Sequence, residues 1–313
     1  MAPALRIAFL GNDAWSVPSL RAIAASPHTV ALVATRAPRP AGRGNRLTPT
    51  PVALAARELE LPLAEVETVR AGPGLRTLAA SRPDVLVVVA YGEILPPEVL
   101  ALPRLLPVNL HFSLLPELRG AAPVQAALLL GLPETGVTTI VMEEGLDSGP
   151  ILVQRSARVL PEDDAGSLGS RLAELGAEVL LETLDLIASD RAVPVPQDDR
   201  AATVAPKLGP RDRRLDWSGS ARELVNRIRA LAPDPGAVAT FRGANLKVLR
   251  AQAIERPTRL DPGTVTEVDR GGFAVATGEG ELRPIELAPA GRRRMTAAEF
   301  VRGHRPVVGE RLS

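Results

Sequence analysis

Four apolar runs in the first half of the chain stand out from the mixed sequence around them. They are LRIAFLG (Leu5–Gly11), HTVALVAT (His28–Thr35), PDVLVVVA (Pro83–Ala90) and a shorter LPVNLH beginning near Leu106. Runs of this length closed by glycine or polar residues predict strands. Val17–Ala25, Pro51–Leu59 and Ala122–Leu130 instead space their apolar residues at helical intervals. The five consecutive aliphatic residues Val85–Val89 suit a strand buried on both faces. Strands of this kind alternating with helices predict a parallel sheet covered on both sides. Ligands of such sheets bind beyond the carboxyl ends of the strands. The loops to inspect are therefore Gly11-Asn12-Asp13, Ala90-Tyr91-Gly92 and the segment from Asn109 onward.

The pattern then changes. Val137–Met142 and Pro150–Val159 read as two strands joined by an acidic, glycine-containing loop, and a long helix is expected over about Ala165–Ile187. Residues 190–206 carry three prolines and little apolar periodicity, which marks a linker between domains at 1–189 and 207–313. Beyond it, Ala221–Leu231 reads as a helix. Short strands follow at GAVATFRG, NLKVLRAQAI, GTVTEV, GFAVATG and ELRPIELAP, and their frequent glycines predict a small barrel or sandwich.

Composition narrows the class. The 313 residues are enough for two domains. None of the apolar runs reaches the roughly 18 residues of a membrane span, and the amino terminus reads as a first strand rather than a signal peptide. The chain has no cysteine, which excludes disulfides and thiolate metal sites and suits a cytoplasmic location. The net charge of +1 conceals an asymmetry. Residues 1–206 hold 17 Lys+Arg against 23 Asp+Glu, whereas residues 207–313 hold 20 against 13. A basic second half points to an anionic partner, or to uneven scatter of an arginine-rich composition.

The most chemical stretch is VNLHFSLLPELRG, Val108–Gly120. If the strand runs through Asn109 and His111, its two-residue period aims both side chains to one face. An amide can donate to a developing oxyanion, and an imidazole can move protons near neutral pH. Asp147, in EEGLDSGP, is the best candidate to orient the imidazole. Spacing alone equally fits a capping Asn and a structurally satisfied His at a strand end. The sequence after the first strand argues against a dinucleotide site, because Asp13 and Ser16 stand where the glycine fingerprint needs glycine. Arg36–Pro51 is expected to be an exposed basic loop without regular pairing, suited to phosphate contacts or merely solvated. His28 and His304 are assigned no role.

Five segments together resemble the folate-dependent formyltransferases, in that family's order and over nearly the whole chain. They are RPAGRGNRLTPTPV (Arg39–Val52), AYGEILP (Ala90–Pro96), NLHFSLLPELRGAAPVQAAL (Asn109–Leu128), ETGVTTIVMEEGLDSGPIL (Glu134–Leu152) and the stretch from LDWSGSARELVNRIRAL to PGAVATFRGANLKVLRA (Leu215–Ala251). The resemblance implies a Rossmann-like, mostly parallel α/β domain followed by a β-rich, OB-like barrel domain. It implies a catalytic set of Asn109, His111 and Asp147. By the same resemblance, Ser113, Leu114, Leu115 and Pro116 correspond to the family's tetrahydrofolate-binding signature, and Tyr91, Gly92, Ile94 and Leu95 are expected to line the pterin pocket. Arg43, flanked by Arg39 and Arg46, corresponds to the arginine of the loop that in the family reaches the acceptor end of tRNA, and the resemblance implies tRNA contacts for all three.

The implied donor is 10-formyltetrahydrofolate, and the implied acceptor is the α-amine of methionyl initiator tRNA. No metal, no membrane association and a monomer are expected with it. One segment departs from the family: GNDAWS (Gly11–Ser16) stands where relatives carry Thr or Ser, then Pro, then Phe. A small-amine formyltransferase or a formyl-folate hydrolase is the alternative within the class. A catalytically silent RNA-binding relative is the alternative outside it. The PAGRG loop with the basic C-terminal half favours the tRNA acceptor.

Overall fold

The computed structural model describes residues 3–41 and 44–313. In chain order the first part contains β1 (Arg6–Gly11), α1 (Val17–Ala25), β2 (Thr29–Arg36), β3 (Arg39–Ala41), β4 (Arg46–Thr48), α2 (Pro51–Glu58), β5 (Leu63–Val66), α3 (Gly72–Ala80), β6 (Val85–Val89), α4 (Pro97–Leu100), β7 (Leu106–His111), α5 (Pro123–Leu129), β8 (Glu134–Val141), β9 (Ile151–Arg158) and α6 (Ala165–Ala188). The second part contains α7 (Ala221–Leu231), β10 (Ala237–Phe241), β11 (Ala244–Ile254), β12 (Val265–Val268), β13 (Phe273–Ala276), β14 (Glu281–Pro289), β15 (Met295–Thr296) and α8 (Ala297–His304). Two compact units result. One gathers residues 1–123, 134–158 and 169–205, the other residues 124–133, 159–168 and 206–313.

The first unit is a seven-stranded sheet in the order β5-β2-β1-β6-β7-β8-β9. Its first five strands are parallel, and β8 and β9 run antiparallel to their preceding neighbours. The uninterrupted apolar run of β6 is explained by its central place, since all five of its residues are buried. Each such side chain contributes about 1.5–3 kcal/mol through burial. One face packs Ala8, Leu10, Leu32, Leu86 and Val88 against Leu78 of α3. On the other face a Cβ at Gly176 of α6 would meet Leu110, and the Thr139 and Thr183 hydroxyls share a 2.7 Å hydrogen bond. The parallel α/β expectation is met. No helix among the described residues is long and apolar enough to cross a membrane.

His28 is buried at the start of β2, where Nδ1 accepts the Leu5 N–H at 3.3 Å and Nε2 lies 3.6 Å from Asp185. Burial lowers its pKa, and Asp185 opposes that shift only in part. The folded chain therefore resists a proton that the unfolded chain takes up as pH falls through about 6.5. Stability is expected to fall over that window. A His28→Gln variant, which keeps an acceptor for Leu5, should show a flatter melting temperature between pH 7.5 and 5.5.

The second unit is an antiparallel sheet in the order β10-β11-β14-β13-β12, with β15 beside β14. Its two edges are bridged by the tail, where Phe241 pairs with Leu312 and Thr264 with Arg311. This closes the sheet into a small barrel. Trp217, Leu224, Ile228, Phe241, Phe273 and Phe300 are among its core residues. Helix α7 has the bounds that its sequence predicts, because Ser220 and Glu223 form a reciprocal capping box at its start.

Residues 190–205, expected to form a linker, count with the first unit. Val195 pairs with Ile151 and Val204 with Arg119, so this proline-containing stretch lies along the sheet domain as a strap. The Arg36–Pro51 segment also differs from expectation. Arg39, Pro40 and Ala41 pair with Thr48, Leu47 and Arg46 in a two-stranded ribbon. Proline is tolerated there because a ribbon leaves half of its backbone groups unpaired.

Candidate active site

Asn109 and His111 end β7, and the register Leu10–Val88–Asn109 places them on the sheet face that α3 covers. His111 is buried, and its Nε2 lies 2.9 Å from the Leu118 carbonyl. A carbonyl only accepts, so this nitrogen carries a hydrogen. Nδ1 is left facing Asp147 Oδ2 at 3.5 Å. Asn109 Nδ2 donates to Asp147 Oδ1 at 3.4 Å, and the Gly120 N–H donates to Oδ2 at 2.9 Å. The three residues singled out in the sequence therefore meet around one carboxylate. The amide of Asn109 has two N–H groups, and only one is engaged by Asp147.

Asp147 comes from the loop between β8 and β9, and its backbone is left-handed at φ 50°. That conformation is costly for a residue with a Cβ, though Asp tolerates it better than most. Gly120 is held at φ 117°, where a Cβ would meet the Ala205 carbonyl at 2.8 Å. Only glycine allows the strap to approach so closely.

The segment from Ser113 to Pro116 forms a tight platform after β7. Ser113 is buried, its hydroxyl donates to the Glu117 carbonyl at 2.6 Å, and its own carbonyl accepts from Thr138 at 2.6 Å. The Leu115 N–H donates to the Thr138 hydroxyl at 3.2 Å, and Gln154 donates to the Leu115 carbonyl at 2.9 Å. Leu115 is buried; Leu114 and Pro116 are half-buried. The side chain of Ser113 is thus spent inside the turn.

The Tyr91–Leu95 loop is similarly divided. Tyr91 packs into the α3-side core, and burial, aided by Glu93, pushes its phenol up to about 12 against the opposing effects of Arg36 and a Val69 N–H hydrogen bond. Gly92 has φ 78° and is exposed, Ile94 is 80% exposed, and Leu95 is buried. Ile94 is the apolar side chain of this loop that faces outward.

Arg39 is exposed on the ribbon and lies 3.6 Å from Glu67, and Arg46 is exposed on the opposing strand. Arg43 lies outside the described residues. The atypical first loop is well tied down. The Asn12 amide donates to the Tyr91 carbonyl and accepts from Thr35 at 3.0 Å and from the Arg36 N–H at 2.8 Å. Trp15 meets Phe112 edge-on at 6.0 Å and lies where a Cβ on Gly169 would stand.

Sequence reasoning missed Arg119 and Gln197. Arg119 donates to Gln197 Oε1 at 3.1 and 2.8 Å and to Asp199 at 2.8 Å. Gln197 Nε2 donates to the carbonyls of Asp147 at 2.8 Å and Gly149 at 2.7 Å. The two partners lie 78 positions apart, and no local pattern marks either one.

An amide, an imidazole and a carboxylate converge at the carboxyl end of a parallel sheet, where acyl-group chemistry on a bound substrate is well served. The sequence matches the formyl transferase family over residues 5–184 and the formyl transferase C-terminal domain over residues 207–305. The chain belongs to the formyl transferase family and is a formyl-transferring enzyme. It is 42% identical over 308 residues to the methionyl-tRNA formyltransferase of Methylococcus capsulatus, covering 98% of this chain and 99% of that protein.

Two solved structures share the fold. One is HypX from Aquifex aeolicus in complex with tetrahydrofolic acid, at TM-score 0.64 and 19% identity over 98% of this chain. This chain spans 49% of the length of HypX. The other is an N-formyltransferase from Helicobacter canadensis in complex with folinic acid and dTDP-3-aminofucose, at TM-score 0.66 and 15% identity. That match covers 90% of this chain and 98% of the other.

Proposed function

We propose that this enzyme moves the formyl group of 10-formyltetrahydrofolate to the α-amine of methionine esterified to initiator tRNA. The observation that carries this reading is the end-to-end similarity to a methionyl-tRNA formyltransferase, which spans both domains. A relative acting on a small amine would need neither the basic ribbon nor a second half with an excess of seven basic residues over acidic ones. The convergence of Asn109, His111 and Asp147 supports the formyl-transfer step, whichever amine accepts the group.

The neutral amine attacks the formyl carbon, a C–N bond forms, and the carbonyl oxygen takes up negative charge. The second N–H of Asn109 is placed to hold that oxyanion. Collapse breaks the bond between the formyl carbon and the folate nitrogen. The amine gives up one proton, and the departing nitrogen gains one. His111 Nδ1 and Asp147 form the polar edge along which such a proton can travel, directly or through a water. The fixed Nε2–H to Leu118 prevents the ring from turning away. The donor's ring system would lie against Tyr91–Leu95 and Ser113–Pro116. With Tyr91 and Ser113 turned inward, these segments offer mainly backbone groups, together with Ile94, Leu114 and Pro116.

The deciding assay compares formyl transfer to methionyl-initiator tRNA, methionyl-elongator tRNA and a small primary amine. Transfer to the small amine alone would overturn the assignment. Arg43→Ala is expected to weaken productive use of tRNA and to leave folate binding nearly unchanged. Affinity for tRNA should also fall as salt rises, because each phosphate contact releases counterions. A salt-independent affinity would count against the ribbon and the basic half as the docking surface.

A further inference from the structure

We infer that Gln197 is a positioning residue for the transfer step, holding the backbone of Asp147 in the conformation that turns its carboxylate toward Asn109 and His111. Within residues 193–200 it is the one residue that is partly buried; its neighbours are exposed. Two guanidinium N–H groups of Arg119 point at Oε1, and a guanidinium can only donate. The amide is thereby fixed in one orientation, with Nε2 toward the Asp147 and Gly149 carbonyls. Both hydrogens of Nε2 are used.

Among the described residues no other side chain donates to either carbonyl. Asp147 sits at φ 50° between Gly145 and Gly149, in a loop whose own sequence does not favour that one conformation. The clamp is what over-determines it. Arg119 is itself anchored, with its side chain 12% exposed and paired to Asp199 at 2.8 Å.

The same strap also holds the other half of the centre. The Thr203 hydroxyl accepts the Leu118 N–H at 2.8 Å, and Arg119 donates its backbone N–H to the Thr203 carbonyl at 2.9 Å and accepts from the Ala205 N–H at 2.7 Å. The Leu118 carbonyl is the group that holds His111 Nε2. The hydrogen bonds of Gln197 go to Arg119 and to the Asp147 and Gly149 carbonyls and not to Asn109 or His111, so its effect on chemistry passes through Asp147. A displacement of about 1 Å in such a group can cost on the order of 100-fold in rate.

The inference rests on the formyl-transfer reading above. The test is the full-length Gln197→Glu variant, which keeps the shape and the Arg119 partner but sets a carboxylate oxygen against two carbonyls. Arg119→Gln is a second variant, which frees the amide to flip. For each, kcat, the KM of formyl donor and of acceptor, the pH profile of kcat and the melting temperature are measured. The expected result is a fall in kcat of about 10- to 100-fold with both KM values near wild type and a displaced pH profile.

A Gln197→Glu variant with wild-type kcat overturns the inference. So does a loss confined to the melting temperature or the active fraction with the pH profile unmoved. Variant and wild type are compared on methionyl-tRNA or, if the wild type ignores it, on a small amine. A wild type inactive on methionyl-tRNA counts against the functional reading. A variant equal to its wild type on the acceptor in use counts against Gln197.

Discussion

Asn109→Ala is expected to lower kcat by about 10²–10³, the usual cost of one lost oxyanion donor, while the donor still binds. The side chain is half-buried at the end of β7, and its amide is oriented by Asp147 Oδ1 at 3.4 Å. Removing it leaves the strand register intact, because Asn109 pairs with Val88 and Ile140 through backbone. The loss should therefore fall on kcat and leave the melting temperature close to wild type. Asn109→Asp is the sharper variant, since it places a second carboxylate against Asp147 and cannot stabilise a developing negative charge. Near wild-type kcat in either variant, with the folate donor bound normally, would remove Asn109 from the catalytic set.

His111→Ala should cost about 10²–10⁴ in kcat, the range of a lost proton-transfer group. His111 is also structural, since Nε2 ties Leu118 and the ring is buried. A loss of stability is therefore expected alongside the kinetic one, and the two must be separated. His111→Gln can place an N–H near the Leu118 carbonyl and so retain much of the fold, but it cannot titrate. If His111→Gln folds, binds the donor and loses the limb of the pH–rate profile seen in the wild type, the imidazole carries the proton. An unchanged profile would restrict His111 to a structural part.

Much of this arrangement is readable from the chain, for reasons that differ element by element. The β6 strand is legible because burial on both faces demands an unbroken aliphatic run. Helix α7 is legible because its cap is written in the sequence as Ser-x-x-Glu. The same Thr-x-x-Glu signal at Thr296 and Glu299 caps α8, a helix that the strand-rich reading of this region passed over. Helix α3 was hidden by its Gly-Pro-Gly beginning, and β5 by its four half-buried residues at the sheet edge. The Arg39–Thr48 ribbon was obscured by Pro40.

In the site, the two-residue spacing of Asn109 and His111 gives their shared face directly. Asp147 could be nominated but not oriented, because its orientation depends on Gln197, 50 positions away. Tyr91 and Ser113 illustrate the converse. Their identities fit a binding motif, while their side chains turn inward for packing and turn geometry that no local pattern encodes.

Trp15 and Trp217 are the two tryptophans of the chain, and they fall one to each compact unit. Trp217 is buried in the barrel core, whereas Trp15 is half-buried beside Phe112, next to the platform that follows β7. The protein thus carries one intrinsic fluorophore per unit. Trp217→Phe leaves emission that reports on the sheet domain and its first loop, and Trp15→Phe leaves emission from the barrel alone. Chemical denaturation followed in the two variants would read whether the halves melt as one cooperative body or in sequence, without any added label.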